Sequence, residues 1–419
     1  MALLGNIDSR ALEIVWWVVL KWRLWKRKEN PDWVQEKWGI PSLKRPPGDL
    51  IWVHGASIGE SRAALGFIQR LIATHPGVNV LITTVTQDAA RMLKGRLPKR
   101  VLHQMLPLDA PRIIHRFLTY WKPSQVYFVE SDFWPFLLRA LEKEKIKTFL
   151  LNGRISCHSF ERWKKIPYFG RRLLSGFQLC LTPSVTQIER LKYLGCCDVQ
   201  LSGNLKLTIP PLKINKVVLS QLKASFQNRI RWFAANTHVG EETIFIETHV
   251  GLLKQFPDLL LFLAPRHIQR HKEIETLLEA CGLRYQLFSQ WQKNPSGSFE
   301  NVQVILGDVL GNMGELYAFN KLVVMGGSFV PGIGGHNLLE PAQQGCCIVH
   351  GPFMELNPEI ADTFHQAQAA IPIAPGALER VLVGLLEHPK TQAVYQKRAK
   401  ALTVCADTIL DEVMALVWH

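Results

Sequence analysis

Asp49-Leu-Ile-Trp-Val-His-Gly-Ala-Ser-Ile-Gly-Glu60 begins as an unbroken apolar run and ends in small residues followed by a carboxylate. A short apolar run bounded by turn residues reads as a strand buried on both faces, here 49–54. The glycines then make a tight loop, and a helical pattern over Ser61–Ile72 follows. Working outward, Val78–Thr83, Gln125–Val129, Thr148–Leu151 and Leu179–Leu181 have the same buried-strand character. Helical patterns at Thr86–Leu97, Ala110–Tyr120, Pro135–Glu144 and Val185–Leu194 lie between them. This alternation is the signature of βαβ units and a parallel sheet.

Thr208-Ile-Pro-Pro-Leu-Lys-Ile-Asn215 interrupts the pattern with turn residues, and the alternation restarts beyond it. Trp232–Ala235, Leu259–Ala264, Val302–Leu306, Lys321–Met325 and Cys347–Val349 are the strands of the second half. At 419 residues the chain exceeds the size at which single cores stop growing. The expected fold is α/β, with two Rossmann-like domains facing a central cleft. Residues 29–208 form the first domain, 209–215 the linker, 216–390 the second domain and 391–419 a helical segment that packs back on the first.

A net charge of +14 implies an anionic partner: nucleic acid, an acidic membrane face or a phosphorylated substrate. No helix-turn-helix or RNP-like signal is present, which removes the nucleic-acid reading. The eight cysteines show neither Cys-x-x-Cys nor zinc spacing and read as reduced thiols of a cytoplasmic protein. Residues 1–28 stand apart. Ala11–Leu20 is apolar except for Glu13, Lys21-Trp-Arg-Leu-Trp-Lys-Arg-Lys28 follows, and six of the thirteen tryptophans precede residue 40. About ten residues, Glu13 among them, fall short of the roughly 20 apolar ones needed to span a bilayer, but Trp beside Lys and Arg suits a helix at headgroup level. The alternative is an ordinary amphipathic helix packed on its own domain.

Ligands of open parallel sheets bind outside the carboxyl ends of the strands, so the chemistry is sought in those loops. Glu60 stands three residues after Ser57. It is either a capping-box partner at a helix start or a base that reaches an acceptor hydroxyl. In Glu130-Ser-Asp-Phe-Trp-Pro135, Glu130 or Asp132 caps the next helix, or Glu130 steadies an acceptor or a cationic transition state. Lys206, in Gly203-Asn-Leu-Lys206, offers a cation. The basic-aromatic run 160–172 is either an anionic-headgroup surface or a solvated face.

In the second half, Ala264-Pro-Arg-His267 puts a guanidinium and an imidazole after a strand, and Gly307-Asp-Val-Leu-Gly-Asn-Met-Gly-Glu-Leu316 follows another. Gly326-Gly-Ser-Phe-Val-Pro-Gly-Ile-Gly-Gly-His-Asn-Leu-Leu-Glu-Pro341 packs five glycines into ten residues before a helix near Asn337. Such a loop reads as an anion site, with Glu340 placed to accept from ribose hydroxyls. No Asp-x-Asp metal motif occurs.

Taken together, these segments resemble the Kdo transferases, which move 3-deoxy-D-manno-oct-2-ulosonic acid (Kdo) from CMP-Kdo onto the lipid A precursor of Gram-negative bacteria. The resemblance rests on His54–Glu60, Glu130–Pro135, Asn152-Gly-Arg-Ile-Ser156, Gly203–Lys206 and Asn236-Thr-His-Val-Gly-Glu-Glu242, in that order. It implies a GT-B glycosyltransferase, inverting and metal-independent, with no cofactor. Glu60 would be the general base, and Glu130 and Lys206 the transition-state stabilisers. CMP would be held by Pro265 and Arg266, by Met313, Gly314, Glu315 and Leu316, and by Asn337, Leu338, Leu339 and Glu340. The implied partners are CMP-Kdo, a lipid A precursor and an anionic phospholipid surface. The implied location is the cytoplasmic face of the bacterial inner membrane, held by the N-terminal segment. The chain departs from the family pattern by three extra residues in 307–316, by a longer glycine loop and by Leu338 where proline is common. A UDP-sugar donor on the same fold is the alternative.

Overall fold

The computed structural model describes residues 9–27, 29–130, 132–226 and 228–418. The chain divides into two compact units, one running to Ile209 and joined by Ala406–His419, the other Pro210–Cys405.

The first unit is built on β1 (Leu50–His54), β2 (Asn79–Thr84), β3 (Val101–Met105), β4 (Gln125–Val129), β5 (Lys147–Leu151), β6 (Leu179–Thr182) and β7 (Val199–Leu201). They lie in the order β3-β2-β1-β4-β5-β6-β7, every pair parallel. All of β1 is buried, because helices cover both faces of the sheet. Trp52 packs on Phe117 and Phe128 with ring centroids 4.9 and 6.1 Å away, anchoring the core beneath the loop that carries Glu60.

The second unit repeats the plan. Its strands are β8 (Arg231–Thr237), β9 (Leu260–Pro265), β10 (Tyr285–Leu287), β11 (Val304–Leu306), β12 (Leu322–Met325), β13 (Cys347–His350) and β14 (Ile371–Pro372). Their order is β10-β11-β9-β8-β12-β13-β14, again all parallel. In each sheet the order reverses once, at β1/β4 and at β8/β12. These are the topological switch points where doubly wound sheets open a crevice.

The strands read from sequence are all present. The ones the reading passed over, β3, β7, β10 and β14, are the four sheet edges. An edge strand is paired on one side only and needs no continuous apolar run, so Val-Leu-His-Gln-Met, Val-Gln-Leu, Tyr-Gln-Leu and Ile-Pro give little periodic signal.

Two helices complete the first unit. Ala406–Val417 docks through Ile409, Val413 and Val417, and Arg70 pairs with Asp407 at 2.7 Å and Asp411 at 3.3 Å. At the other end, Ser9–Trp25 buries Leu20, and Trp16 donates its indole N–H to the Asp109 carbonyl at 3.4 Å. Its remaining surface exposes Ile14, Val15, Trp17, Val18, Trp22 and Trp25. Among the described residues no helix is long and apolar enough to cross a membrane. Residues 1–8 and Lys28 of the expected anchor lie outside the described residues.

Candidate active site

Glu60 sits in the first turn of the helix Ile58–Thr74. Ser57 is its N-cap and accepts from the Glu60 amide at 3.4 Å. The Glu60 carboxylate folds back to accept from the Ala56 amide at 2.7 Å and the Ser57 hydroxyl at 3.0 Å. The capping geometry is therefore real, and it holds a half-buried carboxylate beside the β1/β4 switch point. Burial first, and then the charge of Glu130, raise its pKa, against the smaller pull of His54, Ala56 and Ser57. Glu60 is thus both a cap and a carboxylate of increased basicity.

Glu130 follows β4, the immediate neighbour of β1. Its side chain is fully buried between Arg154 at 2.7 Å and Lys206 at 2.8 Å. Burying a carboxylate is tolerable only with such partners. The Glu130 backbone has φ 69°, a left-handed conformation costly for a residue with a Cβ. The strand-end turn and the two ion pairs hold it there. Asn152, after β5, also has positive φ (54°), and its side chain accepts from the Leu205 amide at 3.1 Å. The loop after β5 thereby fixes the Leu205–Thr208 turn, and Lys206 with it.

The structure corrects the capping alternative for Glu130 and Asp132. The helix Pro135–Lys143 is capped by Asp109, which accepts from the Phe136 and Leu137 amides at 3.2 and 2.9 Å. Burial pushes the Asp109 carboxyl up to about 6, despite those hydrogen bonds. Asp132 instead accepts from Trp134 Nε1 at 2.7 Å and bonds His54 Nε2 at 2.9 Å. On the far side of that imidazole, Nδ1 meets the Thr83 hydroxyl at 2.8 Å, which also accepts from Trp52 Nε1 at 2.9 Å. Burial works against the Asp132 carboxylate, but the His54 and Trp134 hydrogen bonds outweigh it and its pKa is lowered. Ser131 lies outside the described residues.

In the second unit a recess is lined by Asn236, Pro265, Arg266, Ile268, Phe288, Gly307, Val309–Asn312, Met313 and Leu316. Four of the expected nucleotide residues, Pro265, Arg266, Met313 and Leu316, are thus brought together. Gly314 and Glu315, between Met313 and Leu316, meet the 213–215 segment. A Cβ on Gly314 would stand 2.6 Å from the Lys213 carbonyl, and Glu315 accepts from the Asn215 amide at 2.6 Å. These two fasten the segment before the helix Lys216–Phe226. Asn337 accepts from the Leu339 amide at 2.9 Å, and Leu338 and Leu339 are buried. Glu340 lies in the first turn of Leu339–Gln343, close enough for its charge to act on buried Tyr317, whose hydroxyl accepts from Asn236 at 3.3 Å.

The glycine loop is held in place by an unexpected residue. Fully buried Glu241 accepts from the amides of Gly327, Phe329 and His238 at 2.7, 2.9 and 3.0 Å. Positive φ at Gly327, Gly332, Gly334 and Gly335 explains the glycines conformationally. Sequence reasoning assigned no role to Arg154, His54, Asp109 or Glu241. Arg154 stands in the loop after β5, but its partner Glu130 is in the loop after β4. Among the described residues no group of three or more His, Cys, Asp or Glu could hold a metal ion, and all eight cysteines are free thiols.

A family model described as 3-deoxy-D-manno-octulosonic-acid transferase (kdotransferase) matches residues 32–209. A probable mitochondrial 3-deoxy-D-manno-octulosonic acid transferase of Arabidopsis thaliana is 36% identical over 341 residues, covering 79% of this chain and 75% of that protein. A 3-deoxy-D-manno-octulosonic acid transferase of Rickettsia bellii is 31% identical over 411 residues, 96% of each chain. The crystal structure of a glycosyltransferase from Rickettsia africae superposes with a TM-score of 0.59 at 11% identity, over 89% of this chain and 98% of that one, a likeness of fold. The chain belongs to the 3-deoxy-D-manno-octulosonic acid transferase family and is a glycosyltransferase.

Proposed function

We propose that this enzyme transfers Kdo from CMP-Kdo to a hydroxyl of a lipid A precursor with inversion, without a metal ion. The observation that carries the reading is the first unit's carboxylate pair: Glu60, more basic than an ordinary carboxylate, beside a buried and fully ion-paired Glu130. Glu60 takes the proton of the acceptor hydroxyl. That oxygen bonds to the anomeric carbon of Kdo as the bond from the same carbon to the CMP phosphate oxygen breaks, and CMP departs with the electron pair. Inversion follows from attack opposite the leaving group. Glu130, with Lys206 and Arg154 around it, supplies a preorganised field for the charge that develops in the transition state. Arg266 balances the monophosphate as it leaves, and the recess around Pro265, Met313 and Leu316 takes the nucleoside. Asn337 and Glu340 complete the nucleotide contacts.

The acceptor is read as a lipid because the helix Ser9–Trp25 exposes Trp17, Trp22 and Trp25 beside Lys21, Arg23 and Lys26. The segment 157–170 adds exposed Ile166 and Tyr168 near Arg162, Lys164 and Lys165. Both suit the anionic headgroups of a membrane surface, here the cytoplasmic face of a bacterial inner membrane. Thermal stability in the presence of nucleotides tests the donor: CMP raises the melting temperature and UDP does not. A larger shift with UDP than with CMP would replace the donor by a UDP-sugar.

A further inference from the structure

At the switch point of the second sheet, three imidazoles converge from the loops after three neighbouring strands. His267 follows β9, His238 follows β8 and His336 ends the glycine loop after β12. The rings of His238 and His336 stack at 5.1 Å with 15° between planes, and their Nε2 atoms stand 2.8 Å apart. His267 meets the edge of His238, with centroids 5.8 Å apart. His238 and His336 are half-buried, whereas Arg266 and His267 are exposed.

An Nε2···Nε2 hydrogen bond has room for one proton, so one ring donates to the other. Burial first, then the charges of His238, Arg266 and His267, push His336 down to about 4. His238 is lowered by burial, His267, Arg266 and Arg270. The carboxylates nearby do not neutralise the cluster. Glu242 is paired with Arg270 at 2.8 Å, and Glu241 is spent on three amides. Two of those are the Gly327 and Phe329 amides of the glycine loop, which are thereby withdrawn from any ligand. What remains at the mouth of β8/β12 is a set of imidazole nitrogens, one N–H to each neutral ring, beside a guanidinium.

Resting on the donor reading above, we propose that His238 and His336, with His267 at their edge, form the site for the carboxylate of the octulosonic acid. This acid group sits on the same carbon as the departing phosphate, so its receptor must adjoin the phosphate's cation. His267 follows Arg266 directly in sequence, and the Arg266 amide is bonded to the Thr237 carbonyl at 3.0 Å, which brings the β9 loop against the residue before His238. Across the sheet, the recess lies over β11, β9 and the end of β8, and the imidazoles one step further, over β8 and β12. Nucleoside and sugar acid would then occupy successive positions along the strand ends. Each neutral ring carries one N–H, so breaking the bond between them, with a tautomer shift in the ring that accepted it, lets both donate to an arriving carboxylate without a further proton.

The test uses the full chain and the variants His238→Asn, His336→Gln and His267→Asn, each first compared with wild type by thermal melting. KM for CMP-Kdo and the inhibition constant of CMP, which lacks the carboxylate, are measured on each. Loss of a hydrogen bond to a charged group predicts a rise in KM of about 10- to 100-fold for His238→Asn and His336→Gln. CMP inhibition should stay within about twofold of wild type, the scatter expected of an undisturbed contact. Unchanged KM in both variants overturns the assignment, and so does an equal loss for CMP, which would move the histidines to the phosphate. Exposed His267 can be replaced with least disturbance of packing, so its smaller rise in KM decides the matter if the other two melt early. Failure of CMP to inhibit wild-type enzyme would be a different result, removing the donor reading and this site with it.

Discussion

Glu130 and Lys206 stand 2.8 Å apart with both side chains withdrawn from water, and Arg154 closes the other side of the carboxylate at 2.7 Å. Removing one partner of a buried pair leaves an uncompensated charge, typically at a cost of about 3–5 kcal/mol. Because Arg154 remains, Lys206→Ala is expected at the lower end of that range, by urea unfolding, and Kdo transfer should fall with it. The double variant Lys206→Ala/Glu130→Gln should recover part of the stability and none of the activity. That split separates a structural ion pair from one used in transfer.

Transfer should also report the basicity of Glu60. The base acts as its carboxylate, so kcat/KM rises with pH through a pKa above that of an ordinary glutamate. Burial is the first cause of that elevation and the Glu130 charge the second. In Glu130→Gln the second is lost, and the acid limb of the residual activity should move to lower pH. An acid limb that stays in place would mean that the two carboxylates do not interact.

Asp109 gives a prediction on stability alone. Its folded pKa of about 6 lies above the value for an unfolded aspartate, so the folded state binds the extra proton. Its contribution to stability is full below the unfolded value and is lost as pH rises through about 6. Unfolding free energies between pH 4 and 7 should therefore contain a falling component in wild type that is absent in Asp109→Asn.

The exposed face of Ser9–Trp25 predicts membrane association. Flotation with anionic liposomes should recover the full chain and lose a chain lacking residues 1–28. Replacing Trp17, Trp22 and Trp25 by Ser should weaken it, and raised salt should weaken what remains, since the flanking charge is screened. Equal flotation of the full and shortened chains would remove the anchoring role.

How much of this could be read from sequence follows from what each feature depends on. β1 and β4 are buried on both faces and declare themselves as apolar runs, and the loops after them carry Glu60 and Glu130 at fixed offsets. The edge strands, half-solvated and short, do not. Long-range partnerships are equally hidden. Asp109 caps a helix that begins 26 residues later, and the imidazoles of His238 and His336 are brought together across 98 residues by strand order alone. Gly314 and Glu315 add a second kind of hidden contact. They sit in a segment of the right kind, and the close approach of 213–215 gives them packing partners that their own segment does not announce. Local chemistry is legible where the strand end alone sets it, and illegible where a second loop decides which way the side chain turns.

The central claim is that Glu60 removes the acceptor proton, and the most direct measurement is mass transfer of Kdo from CMP-Kdo to a lipid A precursor by Glu60→Gln. The amide keeps one acceptor oxygen for the helix start. It also removes a carboxylate whose raised pKa costs stability as pH rises. The variant should therefore melt no lower than wild type at neutral pH and bind CMP normally, while transfer falls by about 10²–10⁴-fold, the contribution of a general base. Transfer at wild-type rates by this folded, CMP-binding variant would contradict the account.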